Sequence, residues 1–178
     1  MRLFTAIDIS DEVRHNLGVL LDRLRPLAKL SWTMPDRMHI TTKFIGEWPD
    51  DRLEEMKRAL SSVGSPGAFE VGIRDLGWFP NPRHPRVLWS GVHGGAALEA
   101  LAHATEEAVC SIGVPREDRK YSPHLTLARL REPVPLADLR ESIDLLDSTD
   151  FGAFRAPAFF LYLSRSGRYT KLADFLLV

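Results

Sequence analysis

The chain has 178 residues, of which 44% are hydrophobic and 26% are charged, and its net charge is −1. At roughly 150 residues per domain, this is the composition of one globular domain or two half-domains, and it excludes a disordered or fibrous protein. A protein that coats nucleic acid usually has a basic excess, so any contact with nucleic acid is expected in a local pocket.

Cys110 is the single cysteine, which excludes an internal disulfide. The N-terminal apolar run is short and interrupted by Asp8, so we expect a cytoplasmic protein without a signal peptide or membrane span.

Hydrophobic periodicity and turn residues predict strands that alternate with helices. Leu3–Ile9 is typical of a strand, and Ser10 is a good cap for a helix that ends near Pro26. The same signals predict, in chain order, a loop over 32–36, a strand Met38–Ile45, a helix Asp51–Leu60 capped by Asp50, a strand Phe69–Ile73, a proline-rich loop over 79–85, a strand Val87–Val92, a helix Ala97–Ile112, a strand His124–Leu130, a helix Leu136–Leu146, and two strands, Phe154–Leu163 and Tyr169–Leu177. The order is strand-helix-strand-helix-strand, repeated once, with an extra strand at the end.

A constant shift aligns the two halves of the chain. The shift that places His39 on His124 also places Thr41 on Thr126, and it superimposes the predicted strands and helices. This shared register indicates two related lobes that face each other. Ordinary α/β folds also alternate strands and helices, so an internal duplication is an inference from the pattern.

Each half contains one His-x-Thr motif on a predicted strand. Alternate side chains of a strand share a face, so His39 lies with Thr41 and His124 lies with Thr126, while their apolar neighbours face the core. If a two-fold axis relates the lobes, both pairs line one cleft.

Two imidazoles and two hydroxyls suit the chemistry of a phosphodiester. In-line attack on phosphorus needs one group that accepts a proton from the nucleophile and another that protonates the leaving oxygen. Imidazole, with a pKa near ~6.5, can perform either role, and threonine hydroxyls can donate to the nonbridging oxygens. These groups require no metal, so no cofactor is predicted. The spacing does not assign which histidine is the acid and which is the base.

Two other interpretations compete with this one. A single His-x-Thr on a strand is common by chance, and either histidine alone would more often be structural. A catalytic zinc site typically has three protein ligands, and no His-x-His or His-x-x-x-His motif supplies the third.

Trp32, Phe79 and Tyr121 are candidates for stacking a terminal base, and each could equally be a core residue.

The motifs and their context resemble the 2H phosphoesterase superfamily, and within it the bacterial and archaeal RNA 2′,3′-cyclic phosphodiesterases, also called 2′-5′ RNA ligases. The resemblance extends over nearly the whole chain. It is carried by the segments Arg2–Asp8, Trp32, Met38–Glu47, Phe79–Pro80, Pro85–Trp89, Pro123–Arg129, Leu163–Ser164 and Gly167–Tyr169.

The resemblance implies an α+β fold and a hydrolase. Two pseudo-symmetric lobes, each an antiparallel sheet with helices on its outer face, would flank a V-shaped cleft within one domain of interleaved, related lobes over residues 1–178. The implied substrate is RNA with a 2′,3′-cyclic phosphate terminus, hydrolysed to a 2′-phosphate, and the reverse reaction would be 2′-5′ ligation. His39 would protonate the departing 3′ oxygen, and His124 would accept the proton of the attacking water. Thr41 and Thr126 would hold phosphate oxygens. We expect a monomer with no obligate protein partner and no membrane contact.

Two basic residues near the motifs are further candidates for substrate binding. The second motif of the family often ends in an arginine, here Arg129, which suits phosphate pairing. Strict alternation places Arg129 on the face away from the cleft, so it would reach phosphate only if the strand bends or ends there. Lys43 falls on the His39 face and could steer an anionic substrate. A solvated charge at a strand end is the alternative for both residues.

Two other functions remain open from the sequence. One is the cleavage of a 2′-5′ oligonucleotide or a small cyclic nucleotide by the same chemistry. The other is a module that binds RNA ends or nucleotides without turnover.

Overall fold

The computed structural model describes residues 1–178 and contains nine strands and four α-helices. Three 3-10 turns lie at Arg25–Leu27, Pro35–Arg37 and Asp50–Arg52. The elements in chain order are β1 Arg2–Asp8, α1 Asp11–Leu24, β2 Ser31–Trp32, β3 His39–Glu47, α2 Leu53–Ser61, β4 Phe69–Phe79, β5 Val87–His93, α3 Gly95–Cys110, β6 His124–Arg129, α4 Ala137–Asp144, β7 Asp150–Ala156, β8 Ala158–Arg165 and β9 Arg168–Leu176. None of the helices is both long and apolar enough to cross a lipid bilayer.

The strands form two antiparallel sheets, which confirms the predicted α+β fold. The first sheet has the order β3-β1-β8-β9, and the second has the order β2-β6-β5-β4-β7. Helices α2 and α3 contact the first sheet through β9 and β3, whereas α1 contacts β7 of the second sheet and packs beside α4. Each half of the chain contributes to both sheets, since β4 lies in the second sheet and β8 and β9 lie in the first.

One hydrophobic core extends through both sheets. A cluster of 33 buried residues includes Leu3 and Ile7 of β1, Leu88 of β5 and Leu125 of β6. A second, smaller cluster of Phe4, Ala6 and Tyr162 lies apart from it. The alternation along β1 explains this division, because Leu3 and Ile7 face the main core while Phe4 and Ala6 face the other side.

The C-terminal strands differ from the prediction. The sequence predicts one strand over Phe154–Leu163, but Pro157 divides this stretch into β7 and β8, which belong to different sheets. Proline has no N–H to donate to a ladder and holds φ near −65°, so a strand commonly ends beside it. The Pro157 carbonyl accepts the Leu177 N–H at 2.8 Å. The chain therefore passes from the second sheet to the first at this residue.

Two capping predictions have opposite outcomes. Ser10 caps α1 as predicted, because its hydroxyl accepts the Val13 N–H at 3.2 Å. The prediction that Asp50 caps the second helix is wrong: its carboxylate accepts the N-terminal ammonium group of Met1 at 3.0 Å. A 3-10 turn, Asp50–Arg52, precedes α2, and no side chain caps that helix. The sequence shows the acidic residue but not its competing partner, the ammonium group of Met1, which directly precedes β1.

Candidate active site

The two motif histidines begin β3 and β6, and their imidazoles are held in the same way. Nδ1 of His39 lies 2.8 Å from the Arg37 carbonyl oxygen, and Nδ1 of His124 lies 2.8 Å from the Ser122 carbonyl oxygen. A carbonyl can only accept a hydrogen bond, so each Nδ1 carries a hydrogen. Each Nε2 is therefore available to exchange a proton. In both motifs the orienting carbonyl belongs to the residue two positions before the histidine.

The two motif strands are neighbours in the fold. Strands β3 and β6 are in contact although they belong to different sheets. The Tyr121 hydroxyl, three residues before His124, donates to the Thr41 carbonyl oxygen at 3.0 Å. Burial raises the pKa of Tyr121, so this donor stays protonated at neutral pH. The segment that leads into the second motif is thus hydrogen-bonded directly to the first motif.

Aromatic rings surround His39. Its imidazole stacks on Phe4 with ring centroids 4.7 Å apart and meets the edge of Tyr169 at 5.1 Å. Burial lowers the pKa of His39 below its usual value, and the Arg37 carbonyl and the Asp8 carboxylate oppose that shift less strongly. The environment therefore favours neutral His39, and a bound anion would favour its protonated form.

A cavity of about 380 Å³ opens beside His39, and its wall includes Asp8, Tyr162, Tyr169 and Lys171. Asp8 lies directly opposite His39 across the β1–β3 pair. Its carboxylate accepts hydrogen bonds from the Tyr162 hydroxyl and, at 2.5 Å, from the Lys171 ammonium group. The sequence pattern did not predict this cluster of Asp8, Tyr162 and Lys171. The signal available was an acidic residue at the end of the first strand.

His124 lies against a second aromatic pair. Phe79 meets the imidazole edge-on at 5.0 Å and stacks on Trp89 at 5.0 Å. Trp89 pairs directly with Thr126 across β5 and β6, so the two side chains share a face. The indole crosses Gly77, where an added Cβ would lie 2.1 Å from the ring. Glycine at this position allows Trp89 to lie flat beside the motif.

Both motif strands contain a β-bulge immediately after the threonine. In the β1–β3 pair, Ala6 faces Thr41 and Thr5 faces Lys43, which leaves Thr42 without a partner. In the β5–β6 pair, Trp89 faces Thr126 and Leu88 faces Ala128, which leaves Leu127 without a partner. The shift that aligns the two motifs also aligns the two bulges. An extra residue displaces the alternation of the strand, so side chains beyond it change faces.

The first bulge reverses the predicted orientation of Lys43. Its side chain is buried, and its ammonium group donates to Glu106 Oε1 of α3 at 2.8 Å and to the Pro115 carbonyl at 3.3 Å. The prediction that Lys43 shares the His39 face is wrong, because the bulge turns it toward the helices. Phe44 instead lies on the face away from the helices, where it pairs with Phe4 and is 61% exposed.

The second bulge has the opposite consequence for Arg129. Arg129 pairs with Val87, which lies on the same face of β5 as Trp89, the partner of Thr126. The expectation that alternation turns Arg129 away from the motif is therefore wrong. The side chain is exposed and forms no hydrogen bond or ion pair. Its guanidinium group is therefore free to bind an anion on the face of β6 that carries Thr126.

The three aromatic candidates for base stacking have different surroundings. Trp32 packs against the core and donates its indole N–H to the Ala28 carbonyl at 3.1 Å. Tyr121 also packs against the core, and its hydroxyl is bound to Thr41. Only Phe79 touches a motif histidine.

Known proteins resemble this chain in sequence. A family model described as "LigT like Phosphoesterase" matches residues 7–89. A protein of Archaeoglobus fulgidus named RNA 2′,3′-cyclic phosphodiesterase is 32% identical over 152 residues, which are 85% of this chain and 84% of that protein. The chain belongs to the LigT-like phosphoesterase family. A further relative with the same name, from Methanocaldococcus jannaschii, is 29% identical and covers 92% of this chain and 91% of its own length.

Solved structures share the fold of this LigT-like protein. TT0787 of Thermus thermophilus matches with a TM-score of 0.81 and 28% identity, over 99% of this chain and 98% of that chain. Escherichia coli LigT complexed with 3′-AMP matches with a TM-score of 0.75 and 24% identity, over 99% of this chain and 97% of that chain. Both matches extend over the two sheets and the helices packed against them.

Proposed function

We propose that this LigT-like protein hydrolyses 2′,3′-cyclic phosphate ends of RNA to 2′-phosphate ends, without a metal, by paired-histidine catalysis. The main support is the matched presentation of two imidazoles on neighbouring strands, each with Nδ1 bound to a carbonyl and Nε2 free. The relatives named RNA 2′,3′-cyclic phosphodiesterase support the choice of substrate.

In this mechanism the two histidines act on opposite sides of phosphorus. Nε2 of His124 accepts a proton from water, and the water oxygen forms a bond to phosphorus. The bond from phosphorus to O3′ breaks, and the Nε2–H of His39 protonates the departing oxygen, which becomes the 3′ hydroxyl. The phosphate remains on O2′. The assignment of His39 as acid and His124 as base follows the family resemblance, and the roles exchange in the ligating direction.

Neighbouring groups stabilise the charge that develops on phosphorus. The hydroxyls of Thr41 and Thr126 donate to the nonbridging oxygens, and Arg129 adds a positive charge on the His124 side. Burial lowers the pKa of His39, which disfavours the protonated form that an acid requires. The anionic phosphate offsets this effect, so His39 gains its proton when substrate binds. Lys43 does not bind the phosphate in this mechanism, because its buried ammonium group pairs with Glu106.

We also propose that residues 1–178 act as one domain of two related, interleaved lobes. The shared core and the exchange of strands between the sheets support a single unit. The domain would act as a monomer in the cytoplasm.

The decisive experiment is product analysis on a short RNA with a 2′,3′-cyclic phosphate end, in excess EDTA. We expect a single product with a 2′-phosphate. Loss of turnover on chelation would refute the metal-independent mechanism, and a 3′-phosphate product would refute the regiochemistry. Tight binding without product would favour an RNA-end binding module. Faster cleavage of 2′-5′ oligonucleotides or small cyclic nucleotides would favour the other substrate classes.

A further inference from the structure

The segment before the second motif lacks backbone–backbone hydrogen bonds. We call residues 115–123 the motif-two loop. No residue of this loop takes part in a backbone–backbone hydrogen bond. By contrast, the segment before His39 is closed by a 3-10 turn, in which the Met38 N–H donates to the Pro35 carbonyl at 3.3 Å. A regular turn therefore holds the Arg37 carbonyl that orients His39. The position of the Ser122 carbonyl, which orients His124, depends on side-chain contacts instead.

Lys43 and Glu106 hold the start of the motif-two loop. Glu106 Oε1 accepts the Lys43 ammonium group at 2.8 Å and the Glu117 N–H at 2.6 Å. The Lys43 ammonium group also donates to the Pro115 carbonyl at 3.3 Å. The hydrogen bond from Lys43 lowers the pKa of Glu106, so this carboxylate stays ionised at neutral pH. Arg116 adds an exposed ion pair with Glu107 on the same helix.

Tyr121 holds the end of the same loop. Its hydroxyl donates to the Thr41 carbonyl at 3.0 Å. The next residue, Ser122, supplies the carbonyl that accepts the Nδ1–H of His124 at 2.8 Å. A continuous path therefore leads from the backbone of the first motif, through Tyr121 and Ser122, to the imidazole of the second.

We propose that Lys43 and Tyr121 are positioning residues through which β3 holds the motif-two loop at both ends and sets the orientation of the His124 imidazole. Neither residue touches the phosphate. The catalytic part of this inference rests on the proposed function, and the orientation of His124 can be measured independently of it. This positioning role is consistent with the location of Lys43, whose buried side chain points toward the helices and not toward the His39 face.

The variants are chosen to remove these contacts with little change in shape. Tyr121→Phe removes one hydroxyl. Lys43→Met alone would leave Glu106 partly buried without its partner, so the double variant Lys43→Met with Glu106→Gln serves as a second test. Thr105→Val is the matched control, because Thr105 is fully buried and its hydroxyl bonds only to Leu101 within α3.

Two measurements on the full chain decide the question. The first is the ¹⁵N NMR spectrum of the histidine side chains, recorded without substrate, which distinguishes the two imidazole tautomers. We expect His124 to be fixed with its hydrogen on Nδ1 in the wild type and in the control, and to become a mixture of tautomers in both test variants. The second is turnover of cyclic-phosphate RNA, where we expect kcat to fall roughly tenfold with little change in KM, because small misplacements of a catalytic group are costly.

The outcomes separate this inference from the proposed function. If both variants keep the wild-type tautomer and kcat, Lys43 and Tyr121 are only structural and the inference is overturned. If the wild type does not hydrolyse the RNA but His124 loses its fixed tautomer in the variants, the proposed function fails and the positioning role stands. A loss of stability in one variant leaves the other variant to decide.

Discussion

The exposed guanidinium group of Arg129 offers a direct test of the second bulge. Because Leu127 is unpaired, Arg129 lies on the same face as Thr126 and has no internal partner. Arg129→Gln removes its charge without breaking any contact of the unliganded protein. We therefore expect the free energy of unfolding to be unchanged and the loss to appear only when phosphate binds.

The magnitude follows from the exposure of the site. Hydrogen bonds to charged groups contribute about 1.5–3 kcal/mol, and solvent screening at an exposed position favours the low end of that range. A loss of about 1.5 kcal/mol corresponds to a decrease in kcat/KM of roughly tenfold, at about 1.4 kcal/mol per factor of ten. The dependence of kcat/KM on salt concentration should also become weaker, because one contact between cation and phosphate is lost.

The assay compares kcat/KM for cyclic-phosphate RNA between the wild type, Arg129→Gln and a control. Arg58→Gln is the matched control, because Arg58 is also exposed and without a salt bridge but lies on α2. A change of less than twofold in Arg129→Gln, or an equal change in the control, would refute the argument that the bulge directs Arg129 to the substrate.

Three further predictions concern the two histidines and Gly77. His39→Ala and His124→Ala should each lower kcat by about 10²–10⁴-fold, and turnover near the wild-type rate would remove that residue from the mechanism. The lowered pKa of His39 means that the unfolded chain binds its proton first as the pH falls below ~6.5, so the free energy of unfolding should decrease there. Between pH 7.5 and 5.5, the free energy of unfolding measured by urea denaturation should decrease less in His39→Gln than in the wild type. Equal decreases in the two proteins would contradict the lowered pKa of His39. Gly77→Ala would place a Cβ 2.1 Å from the Trp89 ring and should destabilise the fold by about 1–3 kcal/mol, whereas Gly64→Ala, with no atom within 4 Å of its added Cβ, should show no comparable loss.

The sequence predicted those features of the site that depend on short-range pattern. The alternation of His39 with Thr41, and of His124 with Thr126, needs only a strand, and both motifs do begin strands. The Ser10 cap is equally local, since its partner lies three residues away. The family resemblance supplied the arrangement of sheets that these local signals could not.

The errors came from partners that are distant along the chain. The bulge at Thr42 depends on pairing with β1, and the bulge at Leu127 depends on pairing with β5, so neither could be read from its own strand. Extending strict alternation past the threonines therefore assigned Lys43 and Arg129 to the wrong faces. The ion pair of Lys43 with Glu106 likewise joins two elements that the sequence does not show to be neighbours.

The crossing at Pro157 has a consequence for biosynthesis. Strand β1 is synthesised well before β8, yet one of its edges pairs with that strand. A nascent chain that stops before Pro157 would leave that edge of β1 open, and exposed strand edges promote aggregation. The sheet that carries His39 is therefore complete only after β8 and β9 have left the ribosome. Removing β8 and β9 would leave β1, the neighbour of the strand that carries His39, without its second partner, although more than a hundred residues separate β8 from His39 along the chain.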